Sequence, residues 1–556
     1  MFGQALSTVE TWNGAQSQGS TGSARVDLFF KALRSTSDAE ISRLTARAFA
    51  ESESDTGKLV FQARDCRGGK GERDVFIKMI KWYLDSGRES FVQKHLKYVP
   101  YFGYWKDLNR LFGTKAEPFV IQLYVEMLTM DLTRLQRAKR DPENRPLTSI
   151  SLAAKWVPNE NSEKDQKFKA AKKIAKALGV TMKEYRKAVL RPLRQHIEVV
   201  EALMCNGEWD HIQYGQVPSI CMMKHRKAFA RNDAERFAAY LESVKKGDQK
   251  INASQLSPHE LVHHYIGKVL QTENDTINAQ WESLVGFHRA KCTLTNAIAV
   301  CDMSGSMMQS LGGNKASAYQ VIDASIGMSM LIADCVAEPF RNQVITFSEK
   351  PRFHQIKGST LKDRVADVLA ISDWGMTTDF EAVFEMILQK AANYTYTDSN
   401  GIQHQGLPES EMPKTVFVFS DMQFNAARFC GRCRSGTNGY TVCSCPANQM
   451  TNLEAVRTRY QVAGYSVPFL VFWNLAGNTV DFPSVASDAG VALVSGYSPA
   501  IMKLFASGAS MNPYNVMRSA IDDSRYDVIG CFKDLTLEEL YYGKQVDNDE
   551  KVITIE

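Results

Sequence analysis

Residues 301–307 read Cys-Asp-Met-Ser-Gly-Ser-Met and follow directly on the apolar run Ala297-Ile298-Ala299-Val300. The pattern is a strand, then Asp-x-Ser-Gly-Ser, then a loop into a helix expected at 315–337. Asp302, Ser304 and Ser306 thus offer three short oxygen ligands at the carboxyl end of a buried strand. That donor set suits a hard divalent cation, because Mg²⁺ prefers oxygen and keeps open positions. A second apolar run, Val416-Phe417-Val418-Phe419-Ser420, delivers Asp421. Between the two lies Trp374-Gly375-Met376-Thr377-Thr378-Asp379, a loop opening the next helix. The alternative is a Ser/Gly turn with incidental carboxylates.

Two Cys/His constellations invite other metal chemistry. Cys430, Cys433, Cys443 and Cys445 form C-x2-C-x9-C-x-C. Four thiolates on two short turns can surround one tetrahedral Zn²⁺ and leave no open position, which makes a structural staple rather than a catalyst. The segment between them is polar and carries Asn438-Gly439, a hairpin signal, so it has no apolar anchors of its own. Disulfides or free thiols are the alternatives. The second constellation is His259-Glu260-Leu261-Val262-His263, an H-E-x-x-H. On a helix the imidazoles would share a face, but a metalloprotease needs a third ligand. Ser257 as N-cap, Pro258 in the first turn and Glu260 closing a capping box explain more of these residues. Gly68-Gly69-Lys70-Gly71-Glu72-Arg73 lacks the spacing of a phosphate loop and is expected to start a helix near 72. Its Arg64, Arg67, Lys70 and Arg73 remain candidates for touching phosphate.

Charge is distributed unevenly. The formal net charge is only +4, yet residues 1–290 hold 45 Lys and Arg against 34 Asp and Glu, a net of +11. The remainder holds 21 against 28, a net of −7. Different partners are implied for the two parts. The densest stretch, 164–194, carries eleven basic residues and two acids: Lys164, Lys167, Lys169, Lys172, Lys173, Lys176, Lys183, Arg186, Lys187, Arg191 and Arg194. Such a run is either a solvated helix face or a polyanion-binding surface, with nucleic acid the leading candidate, since clustered cations neutralise phosphates and release counterions.

The elements that must position these residues divide the chain. With 556 residues it is too long for one core, and 44% hydrophobic content is that of an ordinary globular protein. No run approaches the roughly 18 apolar residues of a membrane span. Residues 1–24 show no secretory pattern and read as a mobile Gly/Ser/Gln-rich arm. Most of the eleven cysteines are scattered, so a reducing, cytoplasmic setting is expected. Residues 25–290 carry apolar residues at three- and four-residue intervals, broken at Gly-, Pro- or Asp-containing joints. They are expected to form an all-α helical-repeat solenoid. From about 291 to 510, apolar runs at 295–301, 342–347, 415–420, 467–473 and 491–495 alternate with helical segments. This predicts a doubly wound α/β domain, with a Cys-rich insertion at 428–447 and a helical tail over 511–556. Ligands bind at the carboxyl ends of strands in such sheets, where Asp302 and Asp421 are expected.

The Asp-x-Ser-x-Ser motif, the loop Thr and the strand-end Asp together resemble the metal-ion-dependent adhesion site of von Willebrand A domains. That resemblance implies Asp302, Ser304, Ser306, Thr378 (or Thr377) and Asp421 as direct or water-mediated ligands of Mg²⁺ or Mn²⁺. A helical-repeat module joined to such a domain resembles the Ro ribonucleoprotein family, a TROVE domain plus a von Willebrand A domain. The chain is closer still to an uncharacterised Ro-like group of eukaryotes and large viruses. The residues that carry this are Gly69-Lys70-Gly71-Glu72-Arg73, Tyr101-Phe102-Gly103-Tyr104-Trp105-Lys106-Asp107-Leu108, Ser151-Leu152-Ala153-Ala154-Lys155-Trp156 and Lys250-Ile251-Asn252-Ala253. The resemblance implies a basic, ring-like helical domain that binds small structured RNAs and single-stranded RNA ends. It also implies a non-enzymatic A domain with an acidic protein partner. The cysteine cluster after Asp421 is not part of the Ro pattern. A metal-dependent protein scaffold without nucleic acid is the competing expectation.

Overall fold

The computed structural model describes residues 8–140, 149–266, 274–292, 294–311, 319–347, 350–371, 378–397, 402–425, 451–477, 479, 481–505, 511–529 and 534–542. The chain forms two compact units. One holds residues 1–56, 68–72 and 250–522, the other 57–67, 73–249 and 523–556. The division therefore does not run at residue 290. Residues 25–56 and 250–290, read from sequence as part of one helical domain, join the α/β unit.

The α/β unit is built on a six-stranded sheet. Its strands, with those of two hairpins, are β1 (Thr8–Glu10), β2 (Gln16–Gln18), β3 (Ala297–Asp302), β4 (Gln343–Phe347), β5 (Phe353–Gln355), β6 (Thr395–Thr397), β7 (Gln403–Gln405), β8 (Thr415–Ser420), β9 (Phe469–Asn474) and β10 (Val491–Ser495). The sheet order is β10-β9-β8-β3-β4-β5, parallel throughout except for β5, which pairs antiparallel with β4. All six residues of β3 are buried, as an apolar run covered on both faces requires. The five expected strands appear within two residues of their apolar runs. The short edge strand β5 and the hairpins β1–β2 and β6–β7 have no comparable signal.

Helix Val321–Cys335 is buried along its whole length and packs on β3 and on helix Pro258–Val262. Gly327 permits that approach: a Cβ there would lie 2.9 Å from the Pro258 carbonyl carbon. From residue 8 onward the segment expected as a mobile arm is ordered. β1 and β2 pair antiparallel, and Gln18 exchanges backbone hydrogen bonds with Phe482.

The other unit is helical, as the periodicity predicts. Its longer helices include Arg73–Asp85, Glu117–Arg140, Ser219–Asn232 and Ala234–Lys246. Gly207 and Gly247 end helices in the left-handed region, with φ of 77° and 83°. The motif at 101–108 is an internal clamp. Arg64 Nε donates to Asp107 Oδ2 at 2.6 Å, and Arg73 Nε lies 3.0 Å from Asp107 Oδ1. Asp107 also accepts from the Tyr104 backbone N–H at 2.9 Å. Gly103 makes room, since a Cβ would come within 2.4 Å of Asp107 Oδ2. No helix among the described residues is long and apolar enough to cross a membrane.

Candidate metal centre

The strand order reverses between β3 and β8, so the crevice at their carboxyl ends is the switch point where open α/β sheets bind ligands. β3 ends on Asp302, and Asp421 directly follows β8. Both carboxyl groups are buried, at 0% and 2% exposure. The Ser304 backbone N–H donates to Asp302 Oδ1 at 2.9 Å, and Ser420 Oγ donates to Asp302 Oδ2 at 2.6 Å. Ser304 Oγ and Ser306 Oγ are 3.1 Å apart. Ser304 is buried, whereas Ser306 is exposed, which sets it on the open side of the group. Asp421 is engaged by the Ser306 hydroxyl and by the Gln423 backbone N–H, the latter at 3.2 Å.

The electrostatics of the pair follow from burial. Burial holds the Asp302 carboxyl well above the usual carboxylate range, and the charge of Asp421 pushes it further. Burial likewise raises Asp421, with Asp481 adding a smaller repulsion. Two carboxyl groups and two serine hydroxyls around one crevice form an all-oxygen donor set that fits a hard divalent cation.

Thr378 is buried beside the segment that follows Asp421: its hydroxyl donates to the Gln423 carbonyl, and its own carbonyl accepts from Asn425 N at 3.0 Å. It therefore braces the 421–425 segment. Thr377 and all four cysteines of the expected zinc cluster, Cys430, Cys433, Cys443 and Cys445, lie outside the described residues.

Three contributors escaped sequence reading. Ser420 fixes one Asp302 oxygen, and its only signal is a hydroxyl at the end of an apolar run. Residues 11–13 border the segment after Asp421: Thr11 Oγ1 donates to Phe424 O at 2.7 Å, and Asn13 Nδ2 to Gln423 O at 2.8 Å. Asp481, buried and held by Ser17 Oγ at 2.8 Å, adds negative charge behind Asp421. Nothing local in the sequence marks either of these last two.

The other candidates separate clearly. Glu260 accepts from the Ser257 N–H at 2.9 Å in the expected capping box. His259 is buried edge-on to Tyr319 and Tyr497, and His263 Nδ1 lies 2.7 Å from Asp323 Oδ2. H-E-x-x-H is thus cap and core. The cations near the Gly68-Gly69 turn are also committed. Lys70 is buried, with Nζ bonded to Phe29 O and, at 2.7 Å, to Ser495 Oγ. Arg64 and Arg73 flank Asp107, and Arg67 donates to Tyr101 O at 2.8 Å. A phosphate role for these four is set aside.

Of the basic run, Lys167, Lys169, Lys172, Lys173, Lys176, Lys183, Arg186, Lys187 and Arg191 are exposed. Lys164 and Arg194 are half-buried. Arg194 donates from Nε to Ala154 O at 2.8 Å, a bond that holds the fold. Lys173 pairs with Glu117, and Arg186 pairs with Glu160 at 2.8 Å. Arg186, Arg191 and Arg194 also line a cleft of about 970 Å³, which Glu198, Glu208 and Asp210 line as well.

Two family models divide the chain between them. Domain of unknown function DUF2828 matches residues 11–118 and 163–294, and domain of unknown function DUF7788 matches residues 296–529. An uncharacterised protein of Acanthamoeba polyphaga mimivirus is 27% identical over 544 residues, covering 92% of this chain and 87% of the relative. The similarity to an uncharacterised group that reaches into large viruses holds at that level. The second family match starts one residue before β3, while the first takes in residues that fold with the α/β unit.

Proposed function

We propose that this chain is a non-enzymatic binding protein of the Ro type. In this reading the α/β unit holds Mg²⁺ or Mn²⁺ and, through it, a carboxylate of an acidic protein partner. The helical unit holds RNA on its exposed basic face. The observation that carries the first half is the buried Asp302–Asp421 pair at the sheet's switch point, ringed by Ser304, Ser306 and Ser420. Asp302 and Asp421 would neutralise the cation, and Ser304 and Ser306 would supply neutral oxygens. The strand order, with one antiparallel edge strand, supports a von Willebrand A-like domain. The second half is supported by nine exposed cations within 164–194, which suit phosphate contacts that position RNA without reading its sequence. A four-cysteine zinc staple at 430–445 remains part of the proposal.

The test uses the full chain, because residues 8–56 and 68–72 belong to the α/β unit. Calorimetry with Mn²⁺ is expected to show binding to the wild type that Asp302→Ala abolishes; equal affinities would remove the cation site. RNA affinity is measured across a salt series for the wild type and for Lys169→Glu/Lys173→Glu/Lys176→Glu. Each lost phosphate contact should flatten the slope by roughly 0.7–0.9 log units per log unit of salt. Absence of RNA binding by the wild type at low salt, or an unchanged slope in the folded triple variant, would leave the protein-scaffold reading in its place.

A further inference from the structure

In the helical unit, helix Ser219–Asn232 carries Cys221 and His225. Residues four apart on a helix share a face. Helix Val200–Asn206 brings Glu201 to the same place, so that one carboxylate oxygen, the Cys221 sulfur and one imidazole nitrogen all lie within 4.8 Å of one another. Cys221 is buried, at 8% exposure. Glu201 Oε2 is a buried oxygen that accepts no hydrogen bond from the described residues, and Lys155 Nζ lies 3.6 Å from it.

We infer that Glu201, Cys221 and His225 form a binding site for Zn²⁺ or a cation of similar softness, distinct from the oxygen site at the sheet. The donor chemistry makes the choice. Sulfur, imidazole nitrogen and one carboxylate oxygen suit zinc, whereas Mg²⁺ takes oxygen. In a tetrahedral zinc site, bond lengths of about 2.0–2.3 Å put ligand atoms roughly 3.5 Å apart. The three donor atoms lie within 4.8 Å of one another, so binding requires them to draw together by about 1 Å. Three protein ligands leave a fourth position for water or an incoming group, unlike a closed four-cysteine staple. Lys155 competes with the cation for Glu201, so the ammonium and the metal oppose each other.

That opposition gives the test its sign. The full chain, stripped of metal by chelation, is titrated with Co²⁺, and the near-ultraviolet thiolate-to-cobalt band is followed. One equivalent of this absorption is expected to vanish in Cys221→Ser and in His225→Ala, and to persist in Cys430→Ser/Cys433→Ser. Glu201→Gln, nearly isosteric and half-exposed, should weaken this equivalent by more than about tenfold, the scale on which metal sites respond even to losing an outer partner. Lys155→Met should strengthen it. Cys221→Ser or Glu201→Gln protein that folds and keeps the wild-type number and affinity of Co²⁺ ions overturns the site. So does Lys155→Met protein that binds more weakly than the wild type. A simple Lys155–Glu201 ion pair over a buried cysteine predicts unchanged Co²⁺ number and affinity in Cys221→Ser and Glu201→Gln.

Discussion

Each unit buries a carboxyl group completely, and the two solve the problem in opposite ways. In the helical unit Asp107 meets two guanidinium groups, Arg64 and Arg73, and a backbone N–H. Its charge is balanced within the chain. In the α/β unit Asp302 meets a serine hydroxyl, one backbone N–H and a second carboxyl group, Asp421. Its charge is unbalanced by those contacts. A buried ion without an opposite charge costs several kcal/mol. In the helical unit arginine cancels the buried charge within the chain, whereas in the α/β unit the proposed cation would cancel it.

The comparison breaks most readily at Asp107. Asp107→Ala leaves Arg64 buried and unpaired, and about 3–5 kcal/mol of stability should be lost, measured by urea unfolding of the helical unit's signal. If Asp107→Ala costs under about 1 kcal/mol, the clamp is not what holds the 101–108 motif. Ser420→Ala tests the other side. It frees one Asp302 oxygen without removing a proposed ligand, so Mn²⁺ affinity should fall by roughly 10–100-fold with little change in metal-free stability.

The pH response sharpens the contrast further. A carboxyl group whose folded pKa is raised contributes stability that is complete below its unfolded value, near 4, and is lost as pH rises through the folded value. Asp302 and Asp421 are both raised. Metal-free protein should therefore lose stability relative to Asp302→Asn as pH climbs from about 4 into the neutral range. Saturating Mg²⁺ should reverse the difference. Lys70, pushed down to about 7 by burial, and Lys31, pushed down to about 8, titrate with the opposite sign. The comparison against Asp302→Asn cancels them. The expected readout is a thermal midpoint difference between the two proteins that widens with pH; a constant difference would mean that the carboxyl groups do not repel.

Much of the α/β unit was legible because a strand buried on both faces has to be continuously apolar. β3, β8 and β10 stand almost where their runs place them. The oxygen motif was legible because a strand end and its loop are contiguous in sequence. The capping box at Ser257 was legible for the same local reason. Ser420 as the partner of Asp302 was not, since the two are 118 residues apart and only strand pairing brings them together. Nor was the Glu201, Cys221 and His225 group, because C-x3-H marks only two of its members and the third arrives on another helix.

Clustering of eleven cations in 164–194 is a fact of the sequence, and nine of them are exposed. That Arg194 spends a donor on Ala154 O, and that Lys70 lies buried against Phe29 and Ser495, depends on packing that composition does not encode.

The sequence by itself determined the periods: apolar runs that must be buried strands, three- and four-residue spacings that must be helices, and oxygen donors at the end of one strand. Only the tertiary structure decided which helices share a core with the sheet. A helical period states that one face is buried but not against what. Residues 25–56 and 250–290 have the same period as those at 73–249, yet they fold with β3–β10 rather than with the helical unit.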